Sequence, residues 1–200
     1  MRIGIVSDLH CNAAGLRGAL DLMGDVDELF CAGDIVFEYR FGNEVIELLR
    51  ERGARAILGN HDTVLLGPHG ARARAAPHVM RENVDWLAAQ PLTLDIELAG
   101  KRVQMFHGNP FEPHNDYLYP GNASLARLAQ IDADYVLLGH THMQFAERIG
   151  RPLVINPGSA GDGRDHRNNR ALSYAVLDLV SGEAHFEDYE DPASVALASR

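Results

Sequence analysis

Short apolar runs alternate with amphipathic stretches along much of the chain. Apolar runs that end in turn residues predict eight strands, Arg2–Ser7, Glu28–Ala32, Ala54–Leu58, Arg102–Phe106, Tyr135–Leu138, Pro152–Ile155, Tyr174–Asp178 and Ala184–Asp188. Apolar residues that recur every three or four positions predict four helices, Ala13–Met23, Asn43–Arg52, Val79–Ala89 and Ala123–Ile131. The β-α-β-α-β order of the first half is typical of a parallel sheet covered by helices. The strand-rich last third predicts a mixed or second sheet.

Local signals mark several element boundaries. Gly24 and Gly53 follow the first two predicted helices and are suitable helix stops, and Asn122 is a suitable N-cap for the last one. The segment Thr63–Pro77 clusters Gly, Pro and Arg, and we predict a loop there. A loop of that length is usually functional or mobile.

Length, composition and charge limit the classes of function. The 200 residues, 46% hydrophobic and 23% charged, predict one soluble domain spanning residues 1–200. The formal charge of −10 disfavours extended nucleic-acid surfaces and anionic membranes, since both require a cationic footprint. Two cysteines, Cys11 and Cys31, are too few for a disulfide framework, and the N-terminus lacks the features of a signal peptide. We therefore expect a cytoplasmic protein without a membrane span; the sequence specifies no oligomeric interface, and a homo-oligomer stays open.

Side chains that commonly bind metals follow five of the predicted strands. The segments after these strands read Asp8-Leu9-His10, Gly33-Asp34, Gly59-Asn60-His61-Asp62, His107-Gly108 and Gly139-His140-Thr141-His142. In open α/β sheets, ligands bind beyond the carboxyl ends of the strands. We therefore expect these side chains to meet at one edge of the fold.

Such a cluster fits a pair of metal ions. Imidazoles and carboxylates gathered in a buried place suffer desolvation and partial repulsion, which divalent cations relieve. Two ions about 3.5–4 Å apart need roughly seven protein ligands. The candidates are Asp8, His10, Asp34, Asn60, His107, His140 and His142. Nitrogen and oxygen ligands without thiolate suit Mn²⁺, Fe, Zn or Ni better than Ca²⁺ or Mg²⁺, and Mn²⁺ is the expected ion.

Each candidate also has a simpler interpretation. Asp8 and Asn60 could be turn residues, and His107 on its own could be a core histidine bonded to the backbone. The ordered set of five strand ends favours ligands instead. The histidines outside these motifs are expected on the surface, namely His69, His78, His114, His166 and His185.

The motifs DLH, GD, GNHD, HG and GHTH, in this order, resemble those of the calcineurin-like metallophosphoesterase superfamily. HGNP…YLYP at 107–120 and NPGS…SYAVLDL at 156–179 are similar to its small bacterial and archaeal phosphodiesterase branch. The resemblance implies a four-layer α/β/β/α sandwich of two mixed β-sheets flanked by helices, with a dimetal centre at one rim. It implies a bridging role for Asp34, a first metal on Asp8, His10 and His142, and a second on Asn60, His107 and His140.

The resemblance also implies a mechanism. A metal-bridging hydroxide would attack phosphorus in line, and His61 would act as general acid for the leaving alkoxide. Asp62 is expected either to orient His61 or to cap a helix. Asn60, His61 and Arg164 are the candidate substrate contacts.

One departure from the family narrows the substrate. The phosphoprotein phosphatases and diadenosine tetraphosphatases of this superfamily follow the second Asp with Val-Asp-Arg-Gly, whereas this chain reads GDIVFEYRFG, with Glu38 at the arginine position. The departure favours a phosphodiesterase acting on a small phosphorylated substrate. The alternatives are a phosphomonoesterase or nucleotide phosphatase on the same site, and a non-catalytic metal-binding scaffold protein. The complete ligand set together with His61 favours an enzyme.

Overall fold

The computed structural model describes residues 1–114 and 116–192. Ten strands lie in these residues. In chain order they are β1 (Arg2–Val6), β2 (Glu28–Cys31), β3 (Arg55–Ala56), β4 (Thr93–Leu98), β5 (Lys101–Phe106), β6 (Tyr135–Leu137), β7 (Phe145–Arg148), β8 (Leu153–Asn156), β9 (Leu172–Asp178) and β10 (Glu183–Tyr189).

The strands form two mixed five-stranded sheets, with the orders β10-β9-β1-β2-β3 and β4-β5-β6-β8-β7. β1, β2 and β3 are parallel in the first sheet, as are β5, β6 and β8 in the second. β9, β4 and β7 pair antiparallel with this parallel centre, and β10 pairs antiparallel with β9. Because parallel neighbours end on the same side, each sheet brings several carboxyl ends to one edge.

Five α-helices lie in the described part of the chain, namely α1 (Ala13–Met23), α2 (Asn43–Glu51), α3 (Asn60–Leu66), α4 (Ala71–Arg74) and α5 (Arg81–Ala88). 3₁₀ turns cover Pro68–Gly70, Ala123–Gln130 and His166–Asn168. Gly24 ends α1 with a φ of 63°, and the Asn122 side chain accepts from the N–H of Ser124 at 2.8 Å, as predicted. In the same residues, no helix is both long enough and apolar enough to cross a bilayer.

Alternation along the central strands creates three apolar layers. On β1, Ile3 and Ile5 face the space between the two sheets, whereas Val6 faces α1 and α2. On β6, Leu137 faces the same central space, whereas Val136 faces the 3₁₀ turn Ala123–Gln130. Side chains on a strand alternate between its faces, so a strand that is apolar on both faces must be covered twice. The result is the predicted four-layer α/β/β/α sandwich.

Two strands, β4 and β7, were not predicted from the sequence. β4 is an edge strand whose pattern TLDIEL carries Asp95 and Glu97 on its outward face, and β7 is an edge strand that is exposed at three of four positions. Edge strands tolerate polar residues because only one side of them is paired, and their apolar signal is correspondingly weak. β3 is shorter than predicted, with only two paired residues.

The predicted loop Thr63–Pro77 is wrong. The segment contains the end of α3, the 3₁₀ turn Pro68–Gly70 and α4. Proline is compatible with the first position of a helical turn, because its missing N–H would have no partner there. The Arg74 guanidinium ties the turns together by donating to the carbonyl oxygens of Leu65 and Gly67. Ala123–Ile131 is helical but forms a 3₁₀ turn, not an α-helix.

The central layer should carry much of the stability. Phe30 lies fully buried between the sheets, so Phe30→Ala should lower the free energy of unfolding by about 3–5 kcal/mol in urea titrations, through lost burial and the cavity left behind. Val180→Ala, at a site that is 85% exposed, is the control and should change it by less than about 0.5 kcal/mol. Equal effects of the two substitutions would contradict this account of the core.

Candidate metal centre

The strand ends place the predicted ligands together at one rim of the sandwich. The donor atoms form three groups, and within each group they lie within 4.8 Å of one another. The groups are Asp8 with His10 and His142, His10 with Asp34 and His61, and Asp34 with His107 and His140. Every member of these groups except His61 is buried. Asn60 joins the third group through its Oδ1 atom, 3.1 Å from Nε2 of His107. The fold thus brings all seven predicted ligands to one place.

The first group collects three electron-pair donors. His142 Nδ1 lies 2.6 Å from the carbonyl oxygen of Asp162, which requires the ring proton on Nδ1 and leaves an Nε2 lone pair in the neutral ring. That Nε2 atom lies 3.1 Å from His10 Nε2 and 3.2 Å from Asp8 Oδ1. Three atoms that carry lone pairs therefore converge.

The third group, around Asp34 and His107, repeats this arrangement. His107 Nδ1 donates to the carbonyl oxygen of Ala32 at 2.7 Å, so the Nε2 lone pair points the other way. His107 Nε2 lies 3.1 Å from Asn60 Oδ1 and 3.2 Å from Asp34 Oδ2. The backbone carbonyls thus select the tautomer that leaves the Nε2 lone pair free. A hydrogen bond from the other ring nitrogen to a carbonyl is common in metal-bound histidines.

These donors fit divalent cations. Within the described residues, the buried Asp8 Oδ1 and His10 Nδ1 atoms have no hydrogen-bond partner, and buried polar atoms normally have one. Lone pairs that face each other repel unless a positive charge lies among them. The donors are oxygen and imidazole nitrogen in two adjoining groups, and this chemistry fits the binuclear metal centre of the superfamily.

Burial and the neighbouring charges shift the pKa values of the clustered side chains. Burial raises the pKa of Asp8, but the nearby His142, His107 and His10 outweigh it and hold that pKa well below its usual range. Burial lowers the pKa of His107, but Asp34 beside it raises this pKa to about 9. For His10 burial prevails, and its pKa falls to about 4 despite Asp8 and Asp34. A field that stabilises a proton on His107 also stabilises a metal cation there.

Asp34 occupies the centre of the arrangement. It belongs to the group on the His10 side and to the group on the His107 side, and its Oδ1 accepts from the N–H of His61 at 2.9 Å. Gly59 makes this approach possible, because a Cβ atom there would lie 2.1 Å from Asp34 Oδ1. The glycine of the GNHD motif therefore serves close packing of α3 against the carboxylate.

Sharp backbone turns aim these side chains. Five of the candidate ligands have positive φ angles of 45–70°, namely Asp8, His10, Asp34, His140 and His142. Residues other than glycine rarely adopt this region, and those that do cluster at functional sites. Each turn sends a side chain off the end of its strand and into the shared site.

His140 is held by residues that sequence reasoning missed. Its N–H donates to Asp8 Oδ2 at 3.0 Å, and the ring of Tyr117 stacks on its imidazole with centroids 3.9 Å apart. Asn156, at the end of β8, donates to Gly139 O at 2.7 Å and to Thr141 Oγ1 at 3.1 Å, which fixes the turn. The sequence carries no signal for the stacking of Tyr117, because the contact joins distant loops.

His61 lies at the rim of the same cluster. Its Nε2 is 3.9 Å from Asp34 Oδ2, and its ring stacks on Phe37 with centroids 4.8 Å apart. The carboxylate near its Nδ1 atom is Glu38, at 3.8 Å, which sequence reasoning did not connect with His61. The ring is thus positioned by the segment after β2.

Asp62 has other partners. Its fully buried carboxylate accepts from the N–H groups of Ile35, Val36 and Gly59 at 3.2, 2.9 and 2.9 Å. Burial and the charge of Asp34 raise its pKa to about 7, although these three donors oppose the shift. Of the two roles predicted for Asp62, the contacts match the capping role, and they join α3 to the segment after β2.

Arg164 lies beside the first donor group, where its Nη2 atom is 2.6 Å from Asp162 Oδ2. Asp162 is also the residue whose carbonyl oxygen contacts His142. Cys11 is half-buried, and its Sγ atom accepts from the N–H of Phe37 and donates to Arg40 O. These contacts are those of a small packed residue.

The Asp62 contacts predict a structural effect. Asp62→Asn replaces one acceptor oxygen by an N–H donor that faces backbone N–H groups, so the free energy of unfolding of the metal-free protein should fall by about 2 kcal/mol in urea titrations. Asp85→Asn, which affects only an exposed ion pair with Arg81, should change it by less than about 1 kcal/mol. If Asp62→Asn loses turnover but keeps wild-type stability, the carboxylate acts on His61 instead.

Several known proteins are similar to this chain in sequence or in fold. The family model of the calcineurin-like phosphoesterase superfamily domain matches residues 1–182. An uncharacterized protein of Methanocaldococcus jannaschii is 29% identical over 88% of this chain and 82% of its own length. A symmetrical bis(5'-nucleosyl)-tetraphosphatase of Paracidovorax citrulli is 30% identical over 66% of this chain and 51% of its own length.

A solved metallophosphoesterase from Sphaerobacter thermophilus has the same architecture. It superposes with a TM-score of 0.80 at 26% identity, and the match covers 99% of this chain and 92% of that one. The two mixed sheets and the donor groups at their rim agree with the match to the family model. The chain is a phosphoesterase-type hydrolase and belongs to the calcineurin-like phosphoesterase superfamily.

Proposed function

We propose that this protein is a phosphodiesterase that depends on two divalent metal ions, with Mn²⁺ as the preferred ion. The observation that carries the proposal is the continuous cluster of donor groups, in which Asp34 belongs both to the group with His10 and to the group with His107. Asp8, His10 and His142 would hold one ion, and Asn60, His107 and His140 the other. When bound, the two ions supply Lewis acidity and lower the pKa of coordinated water, which provides a nucleophile near neutral pH.

His61 is the proposed general acid. It lies beside Asp34 and is 19% exposed, so it can meet a substrate at the rim without leaving the cluster. A general acid must lie within hydrogen-bond reach of the leaving oxygen. Phe37 against the ring and Glu38 near Nδ1 hold the imidazole in place, so that Nε2 is the atom that delivers the proton.

Glu38 favours a phosphodiester substrate over a phosphomonoester substrate. Its carboxylate lies 3.8 Å from His61 and stands where related phosphatases place an arginine. A phosphomonoester dianion carries one more negative charge than a diester monoanion, and it is repelled more strongly by a nearby carboxylate. The proposed substrate is therefore a small phosphodiester in the cytoplasm.

A nucleotide phosphatase is the second candidate. The relative from Paracidovorax citrulli is named for the cleavage of bis(5'-nucleosyl) tetraphosphates, and its similarity to this chain favours that candidate. Diadenosine tetraphosphate therefore belongs among the substrates tested.

The metal content is the first measurement. After removal of metals with a chelator and reloading with Mn²⁺, elemental analysis should find about two ions per chain. Asp34→Ala should hold at most one ion, because the carboxylate proposed to bridge the two ions is lost. His185→Ala, whose side chain is 71% exposed, is the control and should hold as much Mn²⁺ as the wild type. A wild-type protein that binds one ion or none would contradict the dimetal proposal.

Turnover tests the role of His61. The Mn²⁺-loaded enzyme should hydrolyse bis(4-nitrophenyl) phosphate faster than 4-nitrophenyl phosphate, and chelation should abolish both reactions. His61→Ala should keep its metal but lose turnover by roughly 10²–10⁴-fold, the usual contribution of a positioned acid. His69→Ala, at an exposed position on the turn after α3, is the matched control and should retain full turnover.

Three outcomes would revise the proposal. His61→Ala turnover within tenfold of the wild type would contradict the general-acid role. Faster hydrolysis of diadenosine tetraphosphate than of the diester would favour the nucleotide phosphatase. A Mn²⁺-loaded wild type that cleaves none of these esters would favour the metal-binding scaffold protein.

A further inference from the structure

A cleft of about 230 Å³ opens directly beside Asn60 and His107. Its wall includes the side chains of Leu58, Leu92, Phe106 and Pro110 together with Thr63 and Thr93, and it reaches Asn60 and His107. Within the described residues, no Asp, Glu, Lys or Arg side chain lines it. A mostly apolar cleft with a few polar groups at one end is the usual form of a small-molecule site.

Several polar atoms in this wall already have partners. Thr63 Oγ1 donates to Gly59 O at 2.5 Å, and Asn109 Oδ1 accepts from the N–H of Phe111 at 3.1 Å. His107 Nδ1 donates to the carbonyl oxygen of Ala32, and His114 Nε2 lies 3.2 Å from the Glu112 carboxylate. The apolar side chains of the wall offer carbon atoms against which an apolar ligand would bury its surface.

A different cleft lies on the other side of the centre. It measures about 410 Å³, and its wall includes His10, Phe37, Arg40 and Asp162. The Arg40 guanidinium donates to the carbonyl oxygen of His10 at 2.8 Å, so a cation borders this side together with the Asp162 carboxylate. The two clefts beside the donor groups therefore differ in polarity, and a phosphodiester has two organic substituents to distribute between them.

We infer that the cleft beside Asn60 and His107 is a subsite for one uncharged, apolar ester group of the substrate, about the size of an aromatic ring. The inference rests on the proposed function and narrows its substrate class to phosphodiesters that carry such a group. An apolar cavity of about 150 Å³ accommodates benzene, so 230 Å³ accommodates a substituted ring. A polyphosphate chain would place several negative charges against the apolar side chains of this wall, where they would lose hydration.

Leu92 offers a direct test, because it lies at the rim and is 62% exposed, so its substitution does not disturb the core. Phenylphosphonate and methylphosphonate present the same anionic group with a large or a small apolar substituent. As inhibitors of bis(4-nitrophenyl) phosphate hydrolysis, phenylphosphonate should bind at least tenfold more tightly. A buried ring removes far more apolar surface from water than a methyl group does.

Leu92→Asn should reduce this preference at least threefold and leave methylphosphonate inhibition unchanged. Leu22→Asn is the matched control, because Leu22 is 57% exposed on α1 and lies outside the cleft, and it should change neither inhibitor. Inhibition constants that agree within twofold for the two phosphonates would overturn the inference. Greater catalytic efficiency on diadenosine tetraphosphate than on the aryl diester would overturn it as well.

A second measurement separates this inference from the proposed function. Fluorine NMR of 4-fluorophenol reports binding to the metal-free protein and needs no hydrolysis. We expect line broadening with the wild type and Leu22→Asn, and at least threefold less with Leu92→Asn. If the wild type broadens the signal but cleaves no ester, the subsite is supported and the phosphodiesterase proposal fails. Equal broadening by all three proteins would overturn the subsite.

Discussion

Two buried carboxylates, Asp8 and Asp34, set the conditions for the rest of this structure. Each follows one of two adjacent parallel strands, and the backbones after those strands stay paired, with Asp8 N–H donating to Gly33 O and His10 N–H donating to Asp34 O, both at 3.0 Å. An isolated carboxylate is costly to bury, and the cost is offset only by positive charge or by hydrogen-bond donors. Both carboxylates therefore require donors and positive charge, and the neighbouring loops supply imidazoles and the backbone N–H groups of His61 and His140.

The loops achieve this arrangement at some cost in local conformational energy. Five candidate ligands lie in the left-handed region of φ, where each residue other than glycine is strained. The surroundings hold these conformations in place, since Asn156 fixes the turn at Gly139 and Thr141, and Asp62 joins α3 to the segment after β2. Three apolar layers behind the rim supply the stability that lets the strained turns persist. The rigid sandwich and the strained rim are thus parts of one arrangement.

Sequence reasoning reached the central strands and the seven candidate ligands because both leave strong local signals. An apolar strand that ends in Gly-Asp or Gly-His is readable without knowledge of its neighbours, whereas the polar edge strand β4 is not. The role of Asp62 needed coordinates, because its partners Ile35 and Val36 lie 27 and 26 residues away. Glu38 near His61 and Tyr117 on His140 were missed for the same reason, since each contact joins loops from different strands.

The charges around the rim bear on which phosphate ester the site prefers. Where related phosphatases carry an arginine this chain has Glu38, and the arginines that the described residues place near the centre include Arg40 and an Arg164 already paired with Asp162. In the described residues, the only ionisable side chains that line the cleft beside His107 are the imidazoles of His107 and His114. A ligand with many negative charges would find little compensation beyond the metal ions themselves. A singly charged diester requires less of it, and its organic groups remove apolar surface from water at the cleft wall. The loss of one arginine and the apolar cleft therefore favour the same class of substrate for independent physical reasons.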